Sequence, residues 1–345
     1  MGVPVFRPAR LACLVVAVVL ARGAVAFPAC VSDGDCNDNN ACTQDRCSAF
    51  TCTHAAVLCS DGDPCTTDTC TPATGCAHSA PRVCDDGNPC NGYEACDPAG
   101  GCRLGAPPFF ARRGGHIGNA GVVEADLSAN NPNATIALGR GAQLATGTTI
   151  TADTVKLGVG ASVFNLRANR RHFGTGSTVA GSVSTVQLPL EDPFCSLPAP
   201  ACGGVDVVLA RNETAGPLAP GSYGRLALSN DTTLTLLPGT FDFCSVKGGR
   251  GAKITVLGAS PTTVRVVGNF LLGGNGEFLP LPGTPVPTLE ISGTALHLGP
   301  TARIQAWITA PRAGLRFGRS AEVDGTLCGD VIGTDNFARL TCTAP

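Results

Sequence analysis

The sequence predicts an all-β protein in two unlike regions, a small disulfide-rich repeat module followed by a Gly-rich β-solenoid. Three observations carry that expectation. Thirteen cysteines crowd into residues 30–102 at recurring spacings. A seven-residue motif built around a glycine turn returns throughout the rest of the chain. No stretch beyond residue 26 shows a convincing helical period.

The N-terminus comes first because it fixes the compartment. Arg7 and Arg10 precede an apolar run from Leu11 to Leu20, and Ala24-Val25-Ala26 fits a small-x-small cleavage site. Residues 1–26 therefore read as a signal peptide cut before Phe27. A membrane span needs about 20 apolar residues, and Arg22 interrupts this run too early. The expectation is a protein that is secreted or held at the cell surface, with no membrane span. Cleavage removes Cys13 and leaves 18 of the 19 cysteines, enough for nine disulfides in an oxidising compartment. The formal net charge of −2 carries no electrostatic footprint for nucleic acid or an anionic membrane.

Residues 27–104 form the Cys-rich module. Its large apolar residues between 30 and 102 are only Val31, Phe50, Val57, Leu58, Val83 and Tyr93, too few for a core. Cross-links at about 2–4 kcal/mol each are what can offset the chain entropy here. Three repeats follow one another, with cysteines at 36, 42, 47 and 52, at 59, 65, 70 and 76, and at 84, 90, 96 and 102. Each opens on an Asp/Asn/Gly-rich loop suited to Asx-turns. Cys30 to Cys36 reads as the tail of a truncated preceding repeat. His54 and His78 stand two residues after Cys52 and Cys76, a spacing that could imitate zinc ligation. Oxidation of the cysteines favours ordinary surface histidines instead. Asp33, Asp35, Asp61, Asp63, Asp85 and Asp86, with Asp38, offer hard oxygen donors on tight loops, so they are candidates for weak structural calcium. None fits a twelve-residue EF-hand loop, and solvated turns are the favoured reading. No cofactor is otherwise expected.

The second repeat, Cys59-Ser-Asp-Gly-Asp-Pro-Cys65-Thr-Thr-Asp-Thr-Cys70-Thr-Pro-Ala-Thr-Gly-Cys76-Ala-His78, resembles the Dictyostelium CTDC extracellular-matrix repeat. The resemblance covers about residues 30–102 and implies a matrix or surface role rather than a defined chemistry. The third repeat departs from the pattern, lacking Thr-Thr-Asp, with five residues between Cys90 and Cys96.

A linker is expected at 105–116, around Gly105-Ala106-Pro107-Pro108, and the solenoid at 117–345. The motif reads apolar, Gly, any, small, small, any, apolar. Clear copies start at Leu138, Leu157, Phe173, Leu298 and Phe317, and looser ones at Leu228, Gly248 and Leu272. Most are 16 to 26 residues apart, with one gap of 55 after Phe173. A turn between two inward apolar positions every 20 residues or so is what one solenoid coil requires. Segments such as Leu234-Thr-Leu236 and Leu289-Glu-Ile291 alternate as strands do. Cys328 and Cys342 could close a C-terminal cap, Cys195 and Cys202 a Pro-rich excursion, and Cys244 could pair with Cys30. Leu218-Ala-Pro-Gly-Ser-Tyr-Gly, Leu237-Pro-Gly-Thr-Phe241 and Ala306-Trp-Ile-Thr-Ala-Pro311 resemble a Gly-rich β-solenoid domain of bacterial pilus-associated and exported proteins, similar to bactofilins. That resemblance implies a fold more than an activity.

No nucleophile elbow, His-Glu-x-x-His pair or phosphate loop occurs. Beyond residue 106 the acidic residues are sparse, with Glu191-Asp192 and Asp324, Asp330 and Asp335 as local groups. A polysaccharide hydrolase would need two carboxylates on one face. Thr149-Ile-Thr151 and Thr233-Leu-Thr235 are too few to form an ice-binding array. The expectation is a non-enzymatic structural or matrix protein that self-associates or binds a surface polysaccharide or protein, with a carbohydrate-binding or adhesion module as the alternative and a β-helix polysaccharide-active enzyme ranked behind it.

Overall fold

The structure is a computed structural model and describes residues 30–79, 84, 94–97, 101–104, 107–188, 197 and 201–343. The signal-peptide expectation and Asp85, Asp86, Glu191 and Asp192 lie outside the described residues. The chain divides into two compact units, one running to residue 80 apart from 63–65, the other holding 63–65 and everything from 81 onward. Among the described residues there is no α-helix, only strands and one short 3-10 turn at Asp33–Cys36.

Each Cys repeat contributes one antiparallel hairpin: Thr43–Ser48 with Thr51–Ala56, Thr67–Thr71 with Gly75–Ser79, and Glu94–Asp97 with Gly101–Leu104. Two-stranded hairpins are marginal in water on their own, and disulfides hold these. Cys36–Cys52 and Cys59–Cys76 join the first and fourth cysteines within a repeat. Cys42–Cys70 and Cys65–Cys96 join the second cysteine of one repeat to the third of the next. Cys30 pairs with Cys47 and so takes the second-cysteine role of a preceding repeat. The expected Cys30–Cys244 link is thereby overturned. Cys244 bonds Cys202 instead, which also replaces the expected Cys195–Cys202 clip. Cα atoms 5.0 Å apart make that pairing possible although 42 residues separate the two. Cys328 and Cys342 are both disulfide-bonded.

The second unit holds a β-solenoid of about eleven turns. An 11-stranded parallel sheet makes one face, and a 15-stranded parallel sheet folds over the other two. Thr149–Leu157 shows the fold-over: Thr149 to Ala152 pairs with Asn165 to Ala168, and Thr154 to Leu157 with both Thr135–Leu138 and Arg170 to Phe173. The three faces are called A (the 11-stranded sheet), B (the face of Thr149 to Ala152) and C (the face of Thr154 to Leu157). Side chains alternate, and the inward ones make one continuous core with Phe109, Ile150, Leu289, Phe278, Leu298 and Leu315 essentially inaccessible to solvent.

Each coil turns from face C to face A through a residue in the left-handed region. It is glycine at Gly141, Gly160, Gly176 and Gly251, and Asn or Asp at Asn212, Asp231 and Asn275. Ala120, Thr301, Ser320 and Phe337 occupy it in the remaining coils. Glycine is the default there because it has no Cβ to clash. The glycine two residues earlier has a different reason. A Cβ on Gly158 would lie 2.7 Å from the carbonyl carbon of Gly139 in the neighbouring coil.

Two expectations are corrected here. Residues 109–116, assigned to a linker, belong to the solenoid: Phe109–Ile117 is a nine-residue strand with Phe109 and Phe110 buried. The coil of Cys328 and Cys342, expected to be a C-terminal cap, lies inside the stack, because the coils do not follow chain order. Phe109–Ile117 sits mid-stack, with Thr135–Leu138 on one side and the C-terminal Leu327–Thr334 on the other. From there the chain builds outward to Val183–Ser184 at one end. It re-enters at Val207–Leu209 at the opposite end and builds back to the middle. The 55-residue gap after Phe173 contains this transfer and one further coil, the one turning at Asn212.

Candidate functional site

The polar loops of the first two repeats are fully engaged in their own turns. Asp35 Oδ2 accepts from the backbone N–H of Val31 and of Ser32, both at 2.9 Å, which holds its pKa below the ordinary carboxylate value. Asp33 accepts from the Cys47 N–H, Asp63 from the Cys65 N–H, and Asp61 from the Thr66 hydroxyl. Of the calcium candidates, Asp35 caps its own turn, Asp33 ties the loop to the hairpin strand at Cys47, and Asp61 and Asp63 brace the loop of the second repeat.

The structure groups Asp38 and Asp61 of the candidate acids with the two histidines and with two further aspartates. Asp45 faces His54 across the first hairpin and Asp68 faces His78 across the second. His54 Nδ1 lies 2.7 Å from Asp45 and 3.4 Å from Asp38, and His78 Nδ1 lies 2.8 Å from Asp68 and 3.6 Å from Asp61. Each set brings two carboxylates and one imidazole within 4.8 Å of one another. The hydrogen bond to the facing aspartate raises the pKa of both imidazoles, and the same bond lowers those of Asp45 and Asp68. Sequence spacing picked out the histidines but not Asp45 or Asp68. The available signal was that both aspartates stand two residues before the third cysteine of their repeat. Cys30, Cys36 and Cys52, like Cys59, Cys70 and Cys76, are close together only because they are cystines, so no thiolate is left to bind zinc.

On the solenoid, charges are ordered by the stacking register. Face A carries the outward ladder Arg339, Glu322, Arg303, Glu277, Lys253, alternating in sign from coil to coil. Arg303–Glu322 and Lys253–Glu277 both close at 3.0 Å, and Arg339 pairs with Glu124. Outward Thr233 and Thr235 extend this face, but the next coil places Lys253 and Thr255 beside them and the one after places Glu277 and Leu279. Charged and apolar side chains therefore interrupt any hydroxyl array. Thr151 is buried.

On face B, Arg265 binds Asp242 with two hydrogen bonds at 2.7 and 3.0 Å and separates it from Glu290. Burial raises the pKa of Glu290. Asp324 accepts from Gln305, Thr341 and Thr343, and Asp330 pairs with Arg113. Among the described strand pairs, no register sets two carboxylates opposite one another.

Comparison with known proteins gives two findings. The Dictyostelium (slime mold) repeat matches residues 35–57 and 58–80. A crystal structure of an ice-binding protein from an Antarctic Flavobacteriaceae bacterium is similar at 12% identity, covering 69% of this chain and 82% of that one, with a TM-score of 0.28. No curated protein matches. The resemblance to pilus-associated and bactofilin solenoids gains no support from these matches. The disulfides and the extracellular-type repeats suggest a secreted protein.

Proposed function

We propose that this chain is a non-catalytic structural component of an extracellular matrix or cell surface, in which a covalently chained spacer carries a rigid solenoid. The observation that carries this reading is the disulfide pattern. Cys42–Cys70 and Cys65–Cys96 bond each repeat to the next, so force along the module passes through covalent links rather than through a core. Compensated ion-pair ladders on face A fit a scaffold rather than a reaction centre.

Self-association through the solenoid ends is the assembly this reading favours. Among the described residues Val183–Ser184 and Val207–Leu209 are terminal strands of the stack, and Phe173, Val183, Val205 and Val208 are exposed near them. Open parallel edges of this kind template further strands. Size-exclusion chromatography with light scattering, with and without calcium, tests it. Concentration-dependent growth into long oligomers is expected. A monomer indifferent to concentration and calcium would sink the assembly mechanism. Release of reducing ends from any polysaccharide in a panel would refute the non-catalytic assignment. The alternative, a carbohydrate-binding or adhesion module, draws on the charge distribution of face C.

A further inference from the structure

Face C has an outward column whose register runs Val208, Ala227, Lys247, Leu271, His297, Arg316, Gly333, His116, Ala137, Lys156, His172. Six of these positions are basic or imidazole side chains and none is acidic. All three histidines of the solenoid fall in this one column. Lys247, His297, Arg316, His116, Lys156 and His172 are exposed. None of the six takes part in an ion pair among the described residues. By contrast Arg113, Arg170, Arg225, Arg265, Lys253, Arg303 and Arg339 each have a carboxylate partner. What sets the column apart is that its six basic or imidazole side chains share one register line with no acid in it.

The column beside it is low. It runs Ala295, Gly314, Val331, Gly114, Thr135, Thr154 and Arg170, without an acid of its own, though Arg170 pairs with Asp153 beside it. A depression of ≈ 560 Å³ lies here, lined by Arg113, Arg312, Arg316, Gly314, Val331 and Gly333 and by one acid, Asp330, which pairs with Arg113. The turns leaving the face add exposed Arg140, Arg250 and Arg319, together with exposed Asp231 and Asp335. From Lys247 to His172 the charges are spread over eight strand spacings, about 38 Å at ~4.8 Å each. They sit on a strand ladder that fixes the spacing of their backbone positions.

We infer that face C is a docking track for a linear anionic polysaccharide, such as a polyuronate, laid along the solenoid axis. A narrow, straight row of fixed cations beside a shallow trough matches a thin polymer bearing carboxylates at regular intervals. Two other polyanions fit less well. Single-stranded nucleic acid is held by aromatic stacking as well as charge, and this column contains no Phe, Tyr or Trp. A membrane surface asks for apolar residues to insert, and the column offers only Val208 and Leu271. The inference goes beyond the structural reading above and does not depend on self-association.

The test uses the mature full-length protein and polygalacturonate, with neutral dextran, oligo-dT and phosphatidylserine vesicles as comparison ligands. Binding to polygalacturonate is expected at low salt, with dextran unbound. Affinity should fall steeply with ionic strength, as it does for ion-pair contacts to a polyanion. Replacing Lys156, Lys247 and Arg316 together by Ser should weaken binding roughly tenfold or more. The matched set on face A, Lys253, Arg303 and Arg339 to Ser, should change it less than about twofold. Thermal unfolding of both sets checks that they fold; if the face C set does not, the Lys156→Ser and Arg316→Ser single variants are compared with Arg303→Ser. Equal losses on faces A and C, no binding to polygalacturonate, or tighter binding to oligo-dT or the vesicles would each overturn the assignment. Failure here with filaments in light scattering would leave the matrix reading standing, and binding by a strict monomer would do the converse.

Discussion

His54 and His78 are exposed side chains whose chemistry is set by one partner each. The hairpin register places Asp45 and Asp68 opposite them, and the resulting charge-assisted hydrogen bond favours the imidazolium and the carboxylate together. The raised histidine pKa contributes stability fully below the ordinary 6.5, lost as pH rises through the folded value. The lowered aspartate pKa contributes above the ordinary 3.8 and is lost as pH falls through the folded value. Both contributions are therefore complete only between about pH 3.8 and 6.5. In an NMR titration both imidazoles should titrate above 6.5, and Asp45→Asn should bring His54 down while leaving His78 unchanged. A His54 midpoint untouched by that substitution would contradict the pairing. The third repeat is a natural comparison, since its register sets Glu94 opposite Leu104, so the hairpin forms without an imidazole. The two histidines were visible in the sequence as a spacing. Their partners were not, because Asp45 and His54 meet across a turn whose register is decided by pairing.

At the scale of one coil, two glycines two residues apart do different work. Gly160 has φ +66° and open space where a Cβ would stand. Gly158 faces the Gly139 carbonyl carbon and the Leu138 carbonyl oxygen, both 2.7 Å from that point. Gly160→Ala should cost about 1–2 kcal/mol, the price of a left-handed L-residue. Gly158→Ala should cost more, roughly 3 kcal/mol, because backbone of a neighbouring coil has to move. Thermal melts of the two variants decide it, and equal shifts would show that coil spacing is not set by this contact. The same distinction explains which coils the sequence revealed. Where both positions are glycine, as at Leu157 to Val163, the motif is plain. The coil from Leu209 to Ala215 turns on Asn212 and the one from Thr334 to Leu340 on Phe337, so neither carries the glycine signature. Ile117 to Val123 also satisfies the pattern, at the very start of the predicted solenoid.

For the molecule as a whole, the interleaved coil order matters most. Leu327–Thr334 fills a place between Trp307–Phe317 and Phe109–Ile117, and Arg339–Thr341 one between Glu322–Asp324 and Val122–Val123. In a solenoid built in chain order, truncation would remove an end coil and leave the rest stacked. Here, deleting residues 327–345 opens the stack in its interior and exposes the flank of Phe109, Ile308 and Leu315. The expected result is loss of the cooperative melt by circular dichroism and aggregation on a sizing column. A truncated protein that stays monomeric with a cooperative transition would show that the two halves are stable apart. The pairing also joins strands more than 200 residues apart, and such non-local contacts slow folding.

The sequence by itself determined what short-range chemistry decides: the cysteine spacing of the repeats, the left-handed turn that closes most coils, and the alternation that sends Leu234, Leu289 and Leu315 inward. Each of these depends on a few consecutive residues and their own φ, ψ and side-chain volumes. Only the tertiary structure decided which cysteine meets which, that the last coil docks on the first, and that Lys247, His297, Arg316, His116, Lys156 and His172 share a line. Those are matters of register between strands remote in the chain. A disulfide needs Cα atoms within about 7 Å, and a charged column needs every coil to stack in phase. Neither condition leaves a trace in local sequence, because both arise from the parallel pairing that closes one coil on the next.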